Sequence, residues 1–302
     1  MLVEQAFFAL PEVLHGSGYQ SQSYESGIVS AFTLSLLQVL NGRNVPNPIG
    51  CLQSERLYRS GGVFTQGESP RYLRADLFAD VGRLFVANKI LSQYGWRHHI
   101  WMECKFLRGQ AGNGDKHAGN KSPITGSFIA DLLRLSLLVP EKTNKTRSSR
   151  YFLHVYDADP KYYLTLRGRP WCKGVVSLGK QEINLNDLQD EPSTVKKLIG
   201  DLPGLDVKLG VTNFHIGPLH VNHRPAYSCW LTRIDRVEAR LGEHEACINV
   251  DRSISQSQDN SFSQIASFIA GRVAILPDSP DTQPPRPGER EGDPEDAENP
   301  EE

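Results

Sequence analysis

The residues most able to do chemistry in this chain are an acid and a lysine two positions apart, Glu103 and Lys105, preceded by Asp76. Side chains at positions i and i+2 of a β-strand project from the same face, so a strand here would place carboxylate and ammonium side by side. Two carboxylates supply the hard oxygen ligands of Mg²⁺, which polarises a phosphate and lowers the pKa of a bound water. A neighbouring lysine offsets developing negative charge. The trio therefore predicts metal-dependent phosphodiester hydrolysis.

The segment that carries Glu103 and Lys105 has the pattern of a strand with one buried face. Between residues 96 and 108 every second position is apolar, namely Ile100, Met102, Cys104 and Phe106. Trp101, Glu103 and Lys105 then fall on the opposite face. We expect this strand to bury its apolar side and to present the acid and the lysine on the other.

Asp76 lies in a second alternating segment, residues 71–79, which also predicts a strand. Sequential strands usually lie next to each other, so a hairpin-like pairing would bring Asp76, Glu103 and Lys105 onto one patch. Asp80 competes for the same role, but four residues of extended strand would separate it from Asp76 by ~13 Å. Asp76 is preferred, because Asp80 could cap the element that follows it.

The elements around these strands predict an α/β fold. Helical spacing of apolar residues predicts helices, and short β-rich or apolar runs predict strands. The expected elements are a helix at 24–40, a strand at 55–60, a helix at 81–94, a helix at 123–139 and a strand at 151–156. Residues 109–122 form a long polar loop rich in glycine and asparagine, which is typical of a mobile or functional segment.

Two stretches, LRADLF at 73–78 and IWMECKFLR at 100–108, resemble the PD-(D/E)xK nuclease superfamily. The resemblance implies a restriction-endonuclease-like core: a helix, three strands, a helix and a further strand, with a mixed central sheet flanked by helices. It covers roughly the first 160 residues. One departure is Ala75, which stands where the name of the motif has proline.

The resemblance also implies roles for individual residues. Asp76 and Glu103 would be metal ligands and Lys105 the catalytic lysine, with Mg²⁺ as the cofactor and Mn²⁺ as a substitute. The main-chain carbonyl of Cys104 would be a further ligand, and Glu25 matches an acidic position that supports the metal site.

Basic residues near the polar loop are candidates for contact with a nucleic-acid backbone. Lys116 and Lys121 lie in the loop, and Arg108 directly precedes it. Cations beside a metal site suit phosphate contacts that release counterions. The alternative is an ordinary solvated loop.

The rest of the chain divides into two parts. Residues 161–276 are β-rich, with expected strands at 162–166, 207–211, 214–221 and 227–237 and a closing helix at 261–274. Residues 277–302 hold ten acidic residues against two arginines, without an aromatic residue, which predicts a disordered acidic tail. The tail therefore carries −8, and because the whole chain carries −2, residues 1–276 carry +6. A mildly basic body permits a polyanionic partner.

Composition excludes several classes of protein. The five cysteines are odd in number and widely spaced, which argues against a disulfide framework. The first residues have no basic region before their short apolar run, and no stretch approaches the ~20 apolar residues of a membrane span. We therefore expect a cytoplasmic protein without a membrane partner.

Three functions remain open. The first is a Mg²⁺-dependent nuclease, with DNA as the expected substrate and a homodimer as the form that cuts both strands of a duplex. The second is a nucleic-acid-binding or interaction module that keeps a nuclease-like fold without catalysis. The third is a zinc-dependent protein centred on His215, His220, His223 and Cys229, although their spacing matches no known zinc pattern.

Overall fold

The structure, a computed structural model, describes eleven ranges of the chain. They are residues 2–16, 25–57, 74–81, 97–107, 121–137, 146–156, 159–164, 170–185, 205–221, 224–241 and 244–249. The predicted helices at 81–94 and 261–274, the acidic tail, and the loop residues Lys116 and Arg108 lie outside these ranges.

Five helices and eight strands make up the described residues, with one turn of 3-10 helix at Ile49–Cys51. The helices are α1 (Leu2–Gly16), α2 (Glu25–Gly42), α3 (Lys121–Leu137), α4 (Pro160–Leu164) and α5 (Pro170–Val175). The strands are β1 (Leu52–Leu57), β2 (Arg74–Asp80), β3 (Arg97–Leu107), β4 (Thr146–Tyr156), β5 (Gly179–Asn184), β6 (Leu205–Val221), β7 (Arg224–Leu241) and β8 (His244–Asn249).

All eight strands belong to one mixed sheet, so the expectation of an α/β fold is confirmed at this level. The strand order is β1-β2-β3-β4-β7-β6-β5, and β8 pairs with the second half of β7. Among the strands that the structure describes, β3 and β4 are the one parallel pair, and the other pairs are antiparallel. A parallel pair needs a crossover connection, and α3 lies on the connection between β3 and β4.

The two faces of the sheet are covered by different helices. On one face, which we call the α1–α2 face, Met102 and Cys104 of β3, Leu153 of β4 and Leu231 of β7 share a core with α1 and α2. On the opposite face, which we call the α3 face, Phe128 of α3 packs edge-on against Phe152 of β4 at 4.7 Å between ring centroids. Helices on both faces bury both sides of the central strands.

Helix α2 forms because its apolar side chains recur at helical spacing. Ile28, Phe32, Leu36 and Leu40 are buried and lie four positions apart, and the buried Ala31 lies three positions after Ile28. The predicted helix at 24–40 is thus confirmed, and the predicted helix at 123–139 corresponds to α3. Helix α1 was not predicted, because Pro11 interrupts its sequence; the structure keeps Pro11 within the helix.

The region after residue 160 departs from its predicted secondary structure. Residues 160–164 form the short helix α4, so the expected strand at 162–166 is wrong. The two strands expected at 207–211 and 214–221 are one long strand, β6, which pairs with β7 across register shifts. Strand β7 pairs with β4, so this region extends the same sheet.

Candidate active site

Asp76 and Glu103 lie opposite each other on neighbouring antiparallel strands. The register pairs Phe78 with Trp101 and Leu77 with Met102, and one step further along the strands it sets Asp76 against Glu103. Directly opposite residues in a sheet project from the same face. The side chains of Asp76 and Glu103 are hydrogen-bonded to each other. The hairpin-like pairing predicted from the sequence thus brings the two carboxyl groups together.

The environment of Asp76 favours its neutral form. Burial, followed by the negative charge of Glu25, raises the pKa of Asp76 to about 6. The backbone N–H of Cys104 donates to Oδ2 of Asp76 at 2.6 Å, and this hydrogen bond and the one with Glu103 lower the pKa in part.

Lys105 extends the site along β3. Its Nζ lies 3.3 Å from Oε2 of Glu25 and 3.0 Å from Oδ2 of Asp131. The same Glu25 oxygen accepts a hydrogen bond from the backbone N–H of Phe106 at 3.3 Å. Glu25 is the first residue of α2, where a carboxylate is favoured by the helix dipole. Glu25 therefore contacts both the lysine and the strand that carries it.

Asp131 was not singled out from the sequence. It lies in α3, is 1% exposed, and also contacts the guanidinium group of Arg134 one turn later. The structure pairs Arg134 of the same helix with Asp131. The sequence feature that could have identified Asp131 is the position of an acid within the apolar run FIADLLRLSLL. A charged side chain is rarely fully buried without a partner, so an acid in such a run indicates a paired carboxylate.

The face that carries Glu103 is more buried than the alternating pattern implied. Glu103 is 2% exposed and Trp101 is 1% exposed, whereas Lys105 is half-buried. The expectation that β3 buries only one face is wrong, because α3 covers the other. Glu103 and Lys105 therefore occupy a largely buried site.

The backbone of Cys104 contacts Asp76, whereas its thiol lies on the opposite face of the sheet. The side chain is buried on the α1–α2 face, and burial, followed by the charge of Glu25, raises the pKa of the thiol well above its ordinary value. The N–H of Cys104 points toward Asp76. In an extended strand the N–H and C=O of one residue point to the same neighbouring strand, so the Cys104 carbonyl is also directed toward β2.

Asp80 has a different partner from Asp76. Its Oδ2 lies 3.8 Å from Nε2 of His99, the residue opposite it in the register of β2 and β3. The neighbouring His98 hydrogen-bonds through Nε2 to the hydroxyl of Ser149 at 2.9 Å. The two histidines are half-buried, and each has a polar partner.

Histidines on the α3 face form a polar cluster that extends away from Lys105. His154 lies opposite Lys105 in the parallel register, and its ring nitrogens bond the hydroxyls of Tyr156 at 2.8 Å and Thr232 at 3.0 Å. Burial lowers the pKa of His154 to about 3, with a further contribution from His215. His154 is therefore a neutral, hydrogen-bonded histidine of the interior.

The geometry does not support the zinc site suggested for the C-terminal histidines. His215 stacks on Trp230 at 4.2 Å between ring centroids and bonds the Ser228 hydroxyl at 3.0 Å. Cys229 is buried in the core of the α1–α2 face, the opposite side of the sheet. A single ion cannot bind both side chains. His220 is described only in its backbone, and His223 lies outside the described residues.

The donor set between β2 and β3 fits a hard divalent cation. Two carboxylates and a main-chain carbonyl are the oxygen ligands that Mg²⁺ and Mn²⁺ accept. Within the ranges that the structure describes, no group of three or more His, Cys, Asp or Glu side chains is arranged to hold a metal. The oxygen donors at this place are the side chains of Asp76 and Glu103 and the main-chain carbonyl of Cys104. Lys121 begins α3.

Two further observations concern the whole chain. Among the described helices, none is long and apolar enough to cross a membrane. Comparisons with protein-family models, with curated proteins and with solved structures found nothing that matches this chain.

Proposed function

We propose that this protein is a divalent-metal-dependent nuclease that hydrolyses phosphodiester bonds in nucleic acid, with DNA as the expected substrate and Mg²⁺ or Mn²⁺ as the cofactor. Asp76 and Glu103 are the side chains that would hold the cation, and Lys105 is the catalytic lysine. Glu25 supports the site by contacting Lys105.

The excess of negative charge around Lys105 carries this proposal. Among the described side chains of the site, four carboxylates, those of Glu25, Asp76, Glu103 and Asp131, face the two cations Lys105 and Arg134. Full ionisation of these six groups would leave a formal charge of −2 among them in a largely buried place, which is unfavourable without compensation. The pKa of Asp76 is raised first by burial and then by the negative charge of Glu25, as expected where acids are crowded and buried. A bound divalent cation would balance the charge.

The residues divide the chemistry among them. A bound cation would supply Lewis-acid polarisation of a phosphoryl oxygen and a lower pKa for a coordinated water. Asp76 and Glu103 would fix the position of the cation, because both project from paired strands rather than from loops. The Lys105 ammonium, two residues from Glu103 on the same face, would stabilise negative charge that develops on the phosphate.

The order of the elements supports a restriction-endonuclease-like core. Along the chain α2, β1, β2, β3, α3 and β4 follow one another as helix, three strands, helix and strand. The acid of β2 and the acid and lysine of β3 support the PD-(D/E)xK site that the resemblance implies. Strands β5 to β8 then lie beyond this core in the same sheet.

The decisive experiment compares the wild-type chain with Lys105→Ala on plasmid, linear duplex and single-stranded DNA and on RNA, with Mg²⁺, Mn²⁺ or a chelator. We expect cleavage that needs the divalent cation and that falls by about 10²-fold or more in Lys105→Ala, as for loss of a group that stabilises transition-state charge. Glu103→Gln should abolish both cleavage and metal binding measured by calorimetry. Lys208→Ala, an exposed lysine of β6, is the matched control and should cleave as the wild type does.

Each result has a distinct meaning. Cleavage by Lys105→Ala at the wild-type rate would remove the lysine from the mechanism. Binding of nucleic acid with no product under any divalent cation would replace the proposal by the second hypothesis, a non-catalytic nucleic-acid-binding module.

A further inference from the structure

Lys105 is held between carboxylates from two different helices. Glu25 of α2 approaches its ammonium at 3.3 Å and Asp131 of α3 at 3.0 Å. Residue 105 lies in the central strand β3, between β2 and β4. A lysine side chain has four rotatable bonds and loses rotamer entropy when it is fixed. Two contacts in different directions fix the ammonium more closely than either one alone.

Asp131 is placed where a carboxylate is unfavourable unless it has partners. Its side chain is 1% exposed, and Leu132, Leu133 and Phe128 of the same helix are fully buried. Burial of an ionised carboxylate is compensated only by paired charge and hydrogen bonds. The described cations that supply this pairing are Lys105 and Arg134. The packing of α3 alone would be served as well by an apolar residue at 131.

We propose that Asp131 is a positioning residue: it holds the Lys105 ammonium beside the Asp76–Glu103 pair, and Arg134 holds Asp131 in turn. This inference rests on the proposed nuclease function. Asp131 acts through Lys105 and does not itself contact the phosphate. Its loss should therefore lower turnover, because the ammonium is misplaced, while KM and metal binding stay near their wild-type values.

The test is the isosteric substitution Asp131→Asn, assayed with Mg²⁺ on the nucleic acid that the wild type cleaves. We expect kcat to fall by about 10²-fold, as for misplacement of a catalytic group, with KM within about threefold. A readout independent of activity is the rate of reductive methylation of Lys105, followed by mass spectrometry. This rate should rise several-fold in Asp131→Asn, because the amine loses a buried partner.

Glu4→Gln is the matched control. Glu4 is also a buried acid paired with an arginine, with Oε1 3.1 Å from Nη1 of Arg233, but it belongs to α1. A merely structural role for Asp131 would make both variants less stable and leave kcat unchanged in both. Glu4→Gln should therefore lose stability and keep the kcat and Lys105 methylation rate of the wild type.

The outcomes separate this inference from the function on which it rests. A wild-type chain without cleavage activity overturns the proposed function and this inference together. An active wild type whose Asp131→Asn variant keeps the same kcat overturns the inference alone. If Asp131→Asn does not fold, Arg134→Gln decides, since Arg134 is partly exposed. It should lower kcat and speed Lys105 methylation, and unchanged values overturn the inference.

Discussion

At the scale of single residues, the central feature is Asp76, a carboxyl group whose surroundings disfavour its ionised form. Asp76 and Glu103 are hydrogen-bonded, and the pKa of Asp76 is raised to about 6 first by burial and then by the charge of Glu25. Both causes disfavour the ionised form. Such perturbed acids are typical of functional sites, where binding of a ligand compensates the charge.

The raised pKa of Asp76 predicts a specific pH dependence of stability. The folded state binds a proton at Asp76 that the unfolded chain has released, so the stabilisation is complete below the ordinary pKa of 3.8 and is lost as the pH rises through about 6. The loss is about 1.4 kcal/mol for each pH unit between these values. In Asp76→Asn this dependence should disappear, while the amide oxygen can still accept from the N–H of Cys104.

The measurement is the free energy of unfolding in urea from pH 4 to pH 8, without divalent cations, for wild type and Asp76→Asn. The difference between the two curves isolates Asp76 from the other acids. Asp76→Asn should gain stability relative to wild type as the pH rises above about 4, with the gain levelling off above about 6. Parallel curves would contradict the burial of a perturbed carboxyl at this position.

At the scale of the elements, helix α1 completes the core on the α1–α2 face. Phe7 and Leu10 are fully buried in that core, and Glu4 accepts a hydrogen bond from the Tyr151 hydroxyl at 3.0 Å. Phe8, one position from Phe7, is 57% exposed. One side of helix α1 is therefore buried against the sheet, and the helix is part of the shared core.

Adjacent phenylalanines of α1 allow a matched test of this packing. Phe7→Ala should cost about 3–5 kcal/mol of unfolding free energy, because it removes a buried ring and leaves a cavity. Phe8→Ala should cost about 1 kcal/mol or less, since it loses only edge contacts with Phe7 at 5.6 Å and Phe214 at 6.3 Å between centroids. Urea unfolding followed by circular dichroism checks both values. Equal losses in the two variants would show that α1 does not pack as described.

At the scale of the whole molecule, the single sheet joins the two parts of the chain expected from the sequence. Strand β7 pairs antiparallel with β4 from Arg150 to Tyr156, and its Cys229 and Leu231 enter the core formed with α1 and α2. The proposed nuclease core therefore depends on a strand that comes more than 60 residues after β4 ends.

This dependence predicts that residues 1–160 alone do not fold cooperatively. Without β7 the edge of β4 would expose unpaired backbone groups, and the shared core would lose its side chains from β7. Urea unfolding of the 1–160 fragment should show no sigmoidal transition, whereas a chain of residues 1–276 should show one. A cooperative transition in the shorter fragment would indicate a core that is stable by itself.

Much of the local structure was predictable because it depends on patterns of short range. Alternating apolar positions identified β3, and helical spacing identified α2 and α3. Antiparallel pairing of β2 with β3 followed from their sequence order, and it was sufficient to bring Asp76 and Glu103 together. Helix α1 was missed because Pro11 is a strong local breaker signal that tertiary packing overrides.

The sequence by itself determined that Asp76 shares a patch with Glu103, because side-chain direction in a strand follows from its period of two. Only the tertiary structure decided that α3 covers this face, which brings Asp131 of α3 into contact with Lys105 of β3. It also decided that β7 pairs with β4. Such contacts depend on how separate elements pack, and no local pattern of residue types encodes them.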